Sequence, residues 1–489
     1  MKIAFAASEV FPYAKTGGLA DVAGSLPAEI SKLGHEVKIF LPKYKSVGEM
    51  EHGLHYMWDI GEIPIRVAGH VQSVHVHKAI LHRSNVEVYF VDCPHYFHRL
   101  KIYTNDNDED ERFILFSKGV IEILQRIKWA PDIIHCNDWQ TALMPILLRE
   151  NYGWDRMFDN TATVFTIHNI AYQGQFSKNT FTKAEINPRH YFHGGLGEYA
   201  GGVNFMKTAI YTADILNTVS ENYARELLTP EYGEGMDAYL AKRKNDFYGI
   251  LNGIDYDLWD PAKDVFLPFH YSSSDLSGKL ENKKFLVDHL GFSIDENLPL
   301  IGIVSRLADQ KGFDIIAYAM NELMALDAQW IILGSGEERY EEMWKSVKAK
   351  FPRKVYFYCG YNNELAHLIE AAADIFLMPS KFEPCGLNQI YSLKYGTVPV
   401  VRKTGGLADT VQDWNEYLAQ GMETGNGFSF YDYTSHALIH SVKRAINDYH
   451  NKPTWRKIQL NGMNKDFSWR KSAEKYLSLY DKASKKIHS

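Results

Sequence analysis

The chain has 489 residues, of which 45% are hydrophobic and 23% charged, and its formal net charge is −7. At roughly 100–200 residues per domain, this length predicts two or three domains, each with its own core. The acidic balance argues against a nucleic-acid partner, because such a partner favours a basic surface. A small basic pocket for phosphate remains compatible with it.

No run of residues approaches the ~20 apolar residues of a membrane-spanning helix, and the N-terminal residues lack the long apolar stretch of a signal peptide. The four cysteines are scattered and form no C-x-x-C pair: Cys93, Cys136, Cys359 and Cys385. Such cysteines are typical of reduced thiols in the cytosol. We therefore expect a cytoplasmic protein with neither a membrane nor a nucleic-acid partner.

Short apolar runs alternate with amphipathic segments along the first half of the chain. The run begins with a strand at 3–7, a Gly17-Gly18 turn, a helix at 19–33 and a strand at 35–41. Further strands are predicted at 86–91, 132–136, 161–167 and 215–219, and further helices at 112–127 and 143–147. This alternation predicts an α/β fold with a mostly parallel sheet covered on both faces.

A second series begins after Asn252-Gly253 and a polar stretch at 272–282. Its strands are predicted at 300–304, 330–333, 355–358, 375–378 and 398–401. We interpret the chain as two doubly wound, Rossmann-like domains, residues 1–250 and 251–464. The final helical segment, at 469–487, is expected to return to the first domain, which residues 465–489 would complete.

The sequence Lys-Thr-Gly-Gly-Leu-Ala-Asp occurs twice, at 15–21 and at 403–409, each time between a predicted strand and a predicted helix. Adjacent glycines let backbone N–H groups converge on an anion, and a following helix adds its positive end. A single such loop is more often a plain tight turn, but two identical copies favour an anion site. Neither copy has the spacing of a P-loop.

Two further loops follow predicted strands of the second half. Arg306 and Lys311 lie in the first of them, where a fork and a point charge could hold the oxygens of a diphosphate. Glu383 lies in the second, between Phe382 and Pro384, where it would be held stiffly and partly desolvated. The plainer alternatives are a solvated basic loop for the first and a charge at a helix N-terminus for the second.

In the first half, Asp138 and His168 each follow a predicted strand. Because the carboxyl ends of parallel strands meet at one edge of a sheet, both residues are expected at the same edge as the Gly17-Gly18 loop. A lone Asp or His there is usually a cap or a satisfied polar group. Two at neighbouring strand ends are better candidates for a site.

The order of these motifs resembles that of bacterial glycogen synthases and plant starch synthases, over nearly the whole chain. The resemblance is carried by Lys15-Thr16-Gly17-Gly18-Leu19, His168-Asn169, 249–255 (GILNGID), Ser305-Arg306-Leu307 with Lys311-Gly312, 383–387 (EPCGL) and Thr404-Gly405-Gly406-Leu407. The resemblance implies two Rossmann-like domains facing a deep cleft, the GT-B architecture. It also implies retaining transfer of glucose from ADP-glucose to the 4-hydroxyl at the non-reducing end of an α-1,4-glucan. No metal or other cofactor would be needed, and the location would be the cytoplasm, or the plastid in a plant.

The same resemblance assigns roles to individual residues. The catalytic group would be Glu383, Arg306, Lys311, His168 and Asp138, with the role of Asp138 left open. The donor would be bound by Lys15, Gly17, Gly18, Asn252, Arg306, Lys311, Tyr361, Cys385, Gly386, Leu387, Thr404, Gly405 and Gly406. The acceptor would be bound by Asp138, His168, Asn169 and Tyr96. Gly405-Gly406 would offer N–H groups to the diphosphate, and Tyr361 would lie against the adenine.

Two features depart from related two-domain transferases. Tyr391 stands where many of them have a second Glu, and the sequence of residues 95–103, on the acceptor side, differs from the more usual one with Gly and Pro. Starch and glycogen synthases commonly lack that second Glu too, so the first departure narrows the resemblance, whereas the second leaves the acceptor preference open. Two alternatives are also kept: a related transferase with another donor or acceptor, and a non-catalytic paralogue that binds glucan as a scaffold.

Overall fold

A computed structural model describes residues 1–190, 194–292 and 295–487. The chain divides into two compact units: Met1–Gly253 together with Trp469–Ser489, and Ile254–Ser468. Residues 488 and 489, at the end of the predicted C-terminal segment, lie outside the description.

The sheet of the first unit is parallel through most of its width. Its strands are β1 (Lys2–Ala6), β2 (Glu36–Pro42), β3 (His55–Tyr56), β4 (Ile63–Val67), β5 (His70–Ile80), β6 (Glu87–Asp92), β7 (Ile133–Asn137), β8 (Ala162–Ile167), β12 (Ile215–Thr218) and β13 (Phe247–Gly249). They lie in the order β13-β12-β8-β7-β1-β2-β6-β5-β3, with β4 paired to β5. A separate small sheet contains β9 (Gln175–Phe176), β10 (Glu198–Tyr199) and β11 (Gly202–Asn204). The antiparallel strands β3, β4 and β5 form the outer edge of the main sheet.

Helices cover this sheet as the sequence pattern predicts. They are α1 (Gly18–Lys32), α2 (Pro94–Phe97), α3 (Glu109–Arg126), α4 (Met144–Glu150), α5 (Thr180–Lys183), α6 (Phe205–Thr212), α7 (Glu221–Glu226) and α8 (Asp237–Lys242). The C-terminal helix α18 (Trp469–Ile487) packs on α1 and on β7, β8 and β12. The last helix therefore belongs to the first unit.

The second unit has a six-stranded parallel sheet. Its strands are β14 (Leu300–Val304), β15 (Gln329–Gly334), β16 (Val355–Cys359), β17 (Ile375–Met378), β18 (Val398–Arg402) and β19 (Phe428–Phe430), in the order β16-β15-β14-β17-β18-β19. Alternate residues of one strand enter two different cores: Ile301 and Ile303 on one face, Leu300 on the other. The sheet is thus covered on both faces, and the α/β class that the sequence predicts is confirmed.

The helices of this unit are α9 (Ser277–His289), α10 (Phe313–Ala325), α11 (Glu338–Lys350), α12 (Asn363–Ala372), α13 (Asn388–Lys394), α14 (Gly405–Thr410), α15 (Trp414–Ala419), α16 (Ser435–His450) and α17 (Lys452–Met463). The polar stretch 272–282 is only partly a loop, since α9 begins within it. Lys279 and Asn282 are buried there. The Lys279 ammonium tolerates burial because it donates to the Ala371 carbonyl and the Thr397 hydroxyl (2.9 and 2.6 Å). Sequence analysis therefore missed this helix, because its buried polar side chains are hydrogen-bonded inside the protein and not to water.

A buried polar network fixes α18 to the first sheet. His135 on β7 contacts the Tyr480 hydroxyl through Nδ1 (2.8 Å) and the Thr166 hydroxyl through Nε2 (2.6 Å). Thr166 in turn donates to Asn217 (2.5 Å), whose amide reaches the Tyr476 hydroxyl (3.2 Å). Burial lowers the pKa of His135 to about 3, so the ring is neutral and accepts from Tyr480. These bonds join the first and last parts of the chain into one unit.

Tyr480→Phe should destabilise the first unit. The variant leaves the buried His135 Nδ1 without its donor, which costs about 1–3 kcal/mol. The measurement is the urea midpoint followed by tryptophan fluorescence. Tyr318→Phe is the matched control, because Tyr318 is 84% exposed and its substitution should leave the free energy of unfolding unchanged. Equal midpoints for the two variants would contradict the role given to this network.

Candidate active site

In the second unit, the order of the strands reverses between β14 and β17, which lie side by side. The carboxyl ends of strands at such a reversal form the usual ligand crevice of an α/β sheet. Three loops leave this edge: the Arg306 loop (305–312) after β14, the Glu383 loop (379–387) after β17 and the Gly405 loop (403–406) after β18. The structure thus brings three of the predicted motifs together on one unit.

Glu383 is the buried acidic group of this cluster. Its residue is 6% exposed, and Oε2 accepts hydrogen bonds from the Lys311 ammonium (2.6 Å) and the Ser380 hydroxyl (3.0 Å). Both donors fix the carboxylate in one orientation. A charged hydrogen bond of this kind contributes roughly 1.5–3 kcal/mol.

Arg306 has a different environment. Its side chain is exposed, and its guanidinium contacts the Gln310 side chain at 3.4 Å. The Lys381 N–H donates to the Gln310 carbonyl (2.8 Å), which ties the Arg306 loop to the Glu383 loop. The guanidinium fork is therefore presented to solvent on a braced loop.

Glycines let the three loops approach backbone to backbone. Gly312 has a φ of +82°, and a Cβ there would lie 2.2 Å from the Pro379 carbonyl oxygen. A Cβ on Gly405, whose φ is +46°, would lie 1.8 Å from the Glu383 carbonyl oxygen. Any side chain at either position would displace the Glu383 loop.

The Gly405 loop uses one of its N–H groups inside the chain. The Gly406 N–H donates to the carbonyls of Glu383 and Pro384 (3.1 and 3.2 Å). The assignment of this N–H to the diphosphate stays a prediction; in the structure described, the N–H supports the Glu383 loop. The neighbouring Thr404 is 1% exposed.

The end of the Glu383 loop is held by Gln389. Its amide donates to the carbonyls of Cys385 and Gly386 (3.0 and 3.1 Å), and Gly386 has a φ of +71°. Cys385 is 6% exposed, and Leu387 directly precedes α13. These three residues therefore form a rigid backbone segment beside Glu383.

Tyr361 lies apart from this cluster. It follows β16, which β15 separates from β14, and its ring is 83% exposed with its hydroxyl donating to Asn363 (3.1 Å). Tyr391, where related transferases often have a Glu, stacks on Trp259 with ring centroids 3.8 Å apart. An aromatic contact has thus taken the place of that second carboxylate.

In the first unit, the strand order reverses between β1 and β7. The Lys15 loop (residues 15–18) follows β1, and an internal carboxylate already occupies it. Glu9 accepts hydrogen bonds from the N–H groups of Thr16 and Gly17 (3.0 Å for Gly17) and from the Thr16 hydroxyl (2.7 Å). The nest for an external anion stays a prediction; in the structure, these two N–H groups hold the Glu9 carboxylate.

Lys15 itself remains accessible. Its ammonium pairs with Asp21 (2.6 Å) and lies 5.5 Å from the centroid of the Phe11 ring, with its side chain 47% exposed. The two copies of the repeated sequence therefore differ in structure. The first copy follows β1, and its N–H groups hold the Glu9 carboxylate. The second copy follows β18 and supports the Glu383 loop.

Asp138, directly after β7, has a backbone conformation that is rare outside glycine. Its φ is +57° and its ψ is −179°. Its carboxylate accepts the N–H groups of His168 (2.7 Å) and Asn169 (3.4 Å). Desolvation raises the pKa of Asp138 to about 7 despite these two bonds. Strain and a perturbed pKa at a strand end are frequent at functional sites.

His168 is held as a neutral ring. Its Nε2 contacts the Asn137 side-chain oxygen (2.9 Å), and burial lowers the pKa of His168 to about 3. The Asn169 side chain accepts the Ala171 N–H (3.1 Å), which starts a turn after β8. The structure thus brings Asp138, His168 and Asn169 together, as the strand ends predict.

Two predicted residues have other surroundings. Tyr96 is 1% exposed, and its hydroxyl donates to Glu111 (2.8 Å), so the ring is part of the core; its assignment to acceptor binding stays a prediction. Asn252 directly precedes Gly253, where the first unit passes into the second, and it is 5% exposed. Its side-chain oxygen has no hydrogen-bond partner among the described residues.

Sequence reasoning missed Glu9 and Ser380. Glu9 lies six residues before Lys15 without a recognisable motif, and Ser380 is a common residue in a loop. Within the described ranges, no group of three or more His, Cys, Asp or Glu is arranged to hold a metal ion. No helix of that part of the chain is long and apolar enough to cross a membrane.

Comparisons with known proteins agree with this arrangement. The family described as starch synthase catalytic domain matches residues 2–242, and that described as glycosyl transferases group 1 matches residues 289–461. A glycogen synthase of Geotalea daltonii is 44% identical over 98% of this chain and 98% of its own, and one of Thermotoga maritima is 43% identical over 100% of both.

Two solved structures are also similar to this chain. The catalytic domain of starch synthase IV from Arabidopsis thaliana, bound to ADP and acarbose, has a TM-score of 0.90 with 33% identity, covering 99% of each chain. Sucrose-phosphate synthase from Thermosynechococcus elongatus, at a TM-score of 0.60 and 16% identity, shares the fold over 98% of each chain. Two Rossmann-like units that match these two families and this starch synthase structure identify a glycosyltransferase of the GT-B class. Within that class, the chain belongs to the glycogen and starch synthase family.

Asp138→Asn should remove a pH dependence of stability. The pKa of Asp138 in the folded chain, about 7, lies above its ordinary value of 3.8. The folded state therefore binds the proton more tightly, and its stability falls as the pH rises from about 4 to about 7. Urea midpoints of wild type and variant should diverge in favour of Asn over this window and run parallel above it. Asp159→Asn, at an exposed aspartate, is the control, and parallel midpoints across the whole range would contradict the expectation.

Gly405→Ala should unfold at a lower temperature than Gly421→Ala. Both glycines have positive φ, +46° and +77°, so both variants carry backbone strain. At Gly421 nothing lies within 4 Å of the added Cβ, whereas at Gly405 it meets the Glu383 carbonyl. The clash should lower the melting temperature by several more degrees, measured by calorimetry. Equal losses in the two variants would mean that the contact with the Glu383 loop has no energetic role.

Proposed function

We propose that this protein elongates an α-1,4-glucan by transferring glucose, with retention, from ADP-glucose to the 4-hydroxyl at the non-reducing end, releasing ADP. The observation that carries the proposal is the Lys311–Glu383–Ser380 cluster beside Arg306 at the strand reversal of the second unit. Full-length identity of more than 40% to glycogen synthases supports the reaction class.

The second unit, residues 254–468, would bind the donor. Arg306 would grip the terminal phosphate with its exposed fork, and Lys311 would add a point charge while it remains bonded to Glu383. The oriented Glu383 carboxylate would accept hydrogen bonds from hydroxyls of the transferred glucose. Tyr361 would lie against the adenine, where its exposed ring is available for stacking.

The first unit would bind the acceptor. Asp138 accepts the His168 and Asn169 N–H groups, which fixes the backbone at the end of β8. We infer that the His168 carbonyl faces the anomeric carbon and stabilises positive charge there. Lys15, beside Asp21 and Phe11, would contact the sugar nucleotide.

The transfer would take place on one face of the sugar. The bond from the anomeric carbon to phosphate oxygen breaks, the bond to the acceptor 4-oxygen forms, and the acceptor proton passes to the departing phosphate. Two cations would balance the growing charge of the diphosphate, which is the role of electrostatic stabilisation in such a step. We further propose that no metal is needed and that the reaction belongs to the cytoplasm.

The test is glucose transfer to glycogen by wild type and by Glu383→Ala, with ADP-glucose and UDP-glucose assayed in parallel. Transfer from ADP-glucose should fall by about two to four orders of magnitude in the variant, because an oriented charged group is lost. Glu423→Ala is the matched control, since Glu423 forms a 2.7 Å pair with Lys457 on the same unit but is exposed.

Other outcomes would contradict the proposal in separable ways. Preference for UDP-glucose would favour the alternative of a related transferase that uses another donor. Binding of glycogen without transfer from either donor would favour the scaffold alternative. A loss of activity in EDTA that added Mg²⁺ restores would contradict metal independence.

A further inference from the structure

The turn after β8 presents one large ring to solvent. Tyr172 is 61% exposed and follows the exposed Ala171, whereas Ile170 and Gln173, which flank this pair, are 2% and 6% exposed. Single exposed aromatics are common on protein surfaces and need no explanation by themselves. The surroundings of Tyr172 distinguish it from such cases.

The backbone of this turn is braced from several directions. The Tyr172 N–H donates to the Asn169 carbonyl (3.2 Å), and the Ile170 N–H donates to the Tyr223 hydroxyl (3.3 Å). The Gln173 amide donates to the carbonyls of Ile170 and Glu234 (3.1 and 2.9 Å). The ring is therefore carried by a fixed backbone, so little ordering entropy is lost when a ligand rests on it.

The same turn is attached to the candidate site. Tyr172 is hydrogen-bonded to Asn169, whose N–H points at the Asp138 carboxylate (3.4 Å). Tyr172 thus lies two hydrogen bonds from Asp138, at the carboxyl edge of β7 and β8. By contrast, the exposed Trp154 (73%) lies in the connection that enters the amino end of β8. Only one of these two rings lies at the edge where the site is built.

We propose that Tyr172 is an acceptor-binding residue whose ring stacks against a glucosyl unit of the glucan chain. The proposal rests on the proposed function and adds a subsite to it. The C–H groups on one face of a glucose ring are weakly positive and match the negative face of an aromatic ring. A ring carried by this fixed backbone would hold the glucan end in register with the 4-hydroxyl that reacts.

The experiment uses maltotriose as acceptor and ADP-glucose as donor, with full kinetics for wild type, Tyr172→Ala and Tyr172→Phe. Loss of the ring in Tyr172→Ala should raise the acceptor KM about tenfold. The donor KM and kcat should stay within twofold of wild type. Tyr172→Phe keeps the ring and should behave like wild type, and Trp154→Ala is the control for losing an exposed aromatic.

Direct titration with maltotetraose in the absence of donor separates this proposal from the proposed function. If wild type transfers no glucose, the proposed function fails, while weaker maltotetraose binding by Tyr172→Ala still supports the subsite. If wild type is active and the acceptor KM of Tyr172→Ala is unchanged, the subsite is rejected. An equal defect in Tyr172→Phe would also reject stacking, because the hydroxyl and not the ring would then be responsible.

Discussion

Each unit of this protein depends on a single reversal in the order of parallel strands. Parallel strands need crossover helices, and where successive crossovers pass to opposite faces, two adjacent strand ends are left open. In the first unit the opening lies between β1 and β7, and in the second between β14 and β17. The residues with strained backbone, buried charge or perturbed pKa that form the candidate site follow these strands or the strands next to them.

The charges at both openings are largely satisfied by the chain itself. Glu9 fills the nest of the Lys15 loop, and Glu383 receives Lys311 and Ser380. Groups fixed in this way need not reorganise when charge develops on a substrate, which is the main advantage of electrostatic preorganisation. Arg306, exposed and weakly bonded, is then the group with freedom to adapt to a ligand.

The sequence predicted most of this framework because the prediction rests on two local signals. Buried parallel strands appear as short apolar runs, and the polar residues that follow them mark strand ends. The sequence did not reveal hydrogen-bond partners that are distant along the chain or unrelated to any motif. The Gly406 N–H meets the Glu383 carbonyl, and the Tyr96 hydroxyl meets Glu111, and no motif predicts either contact.

The sequence alone determined the α/β class and the family resemblance, and it predicted which strand ends form the candidate site, since these depend on periodicity and on residue type. Tertiary structure decided the remainder. It brought α18 back to His135, placed Glu9 in the Lys15 loop and oriented Glu383 between Lys311 and Ser380. The physical reason is that a hydrogen bond or an ion pair depends on positions within about 3 Å, and only packing of the whole unit sets such positions.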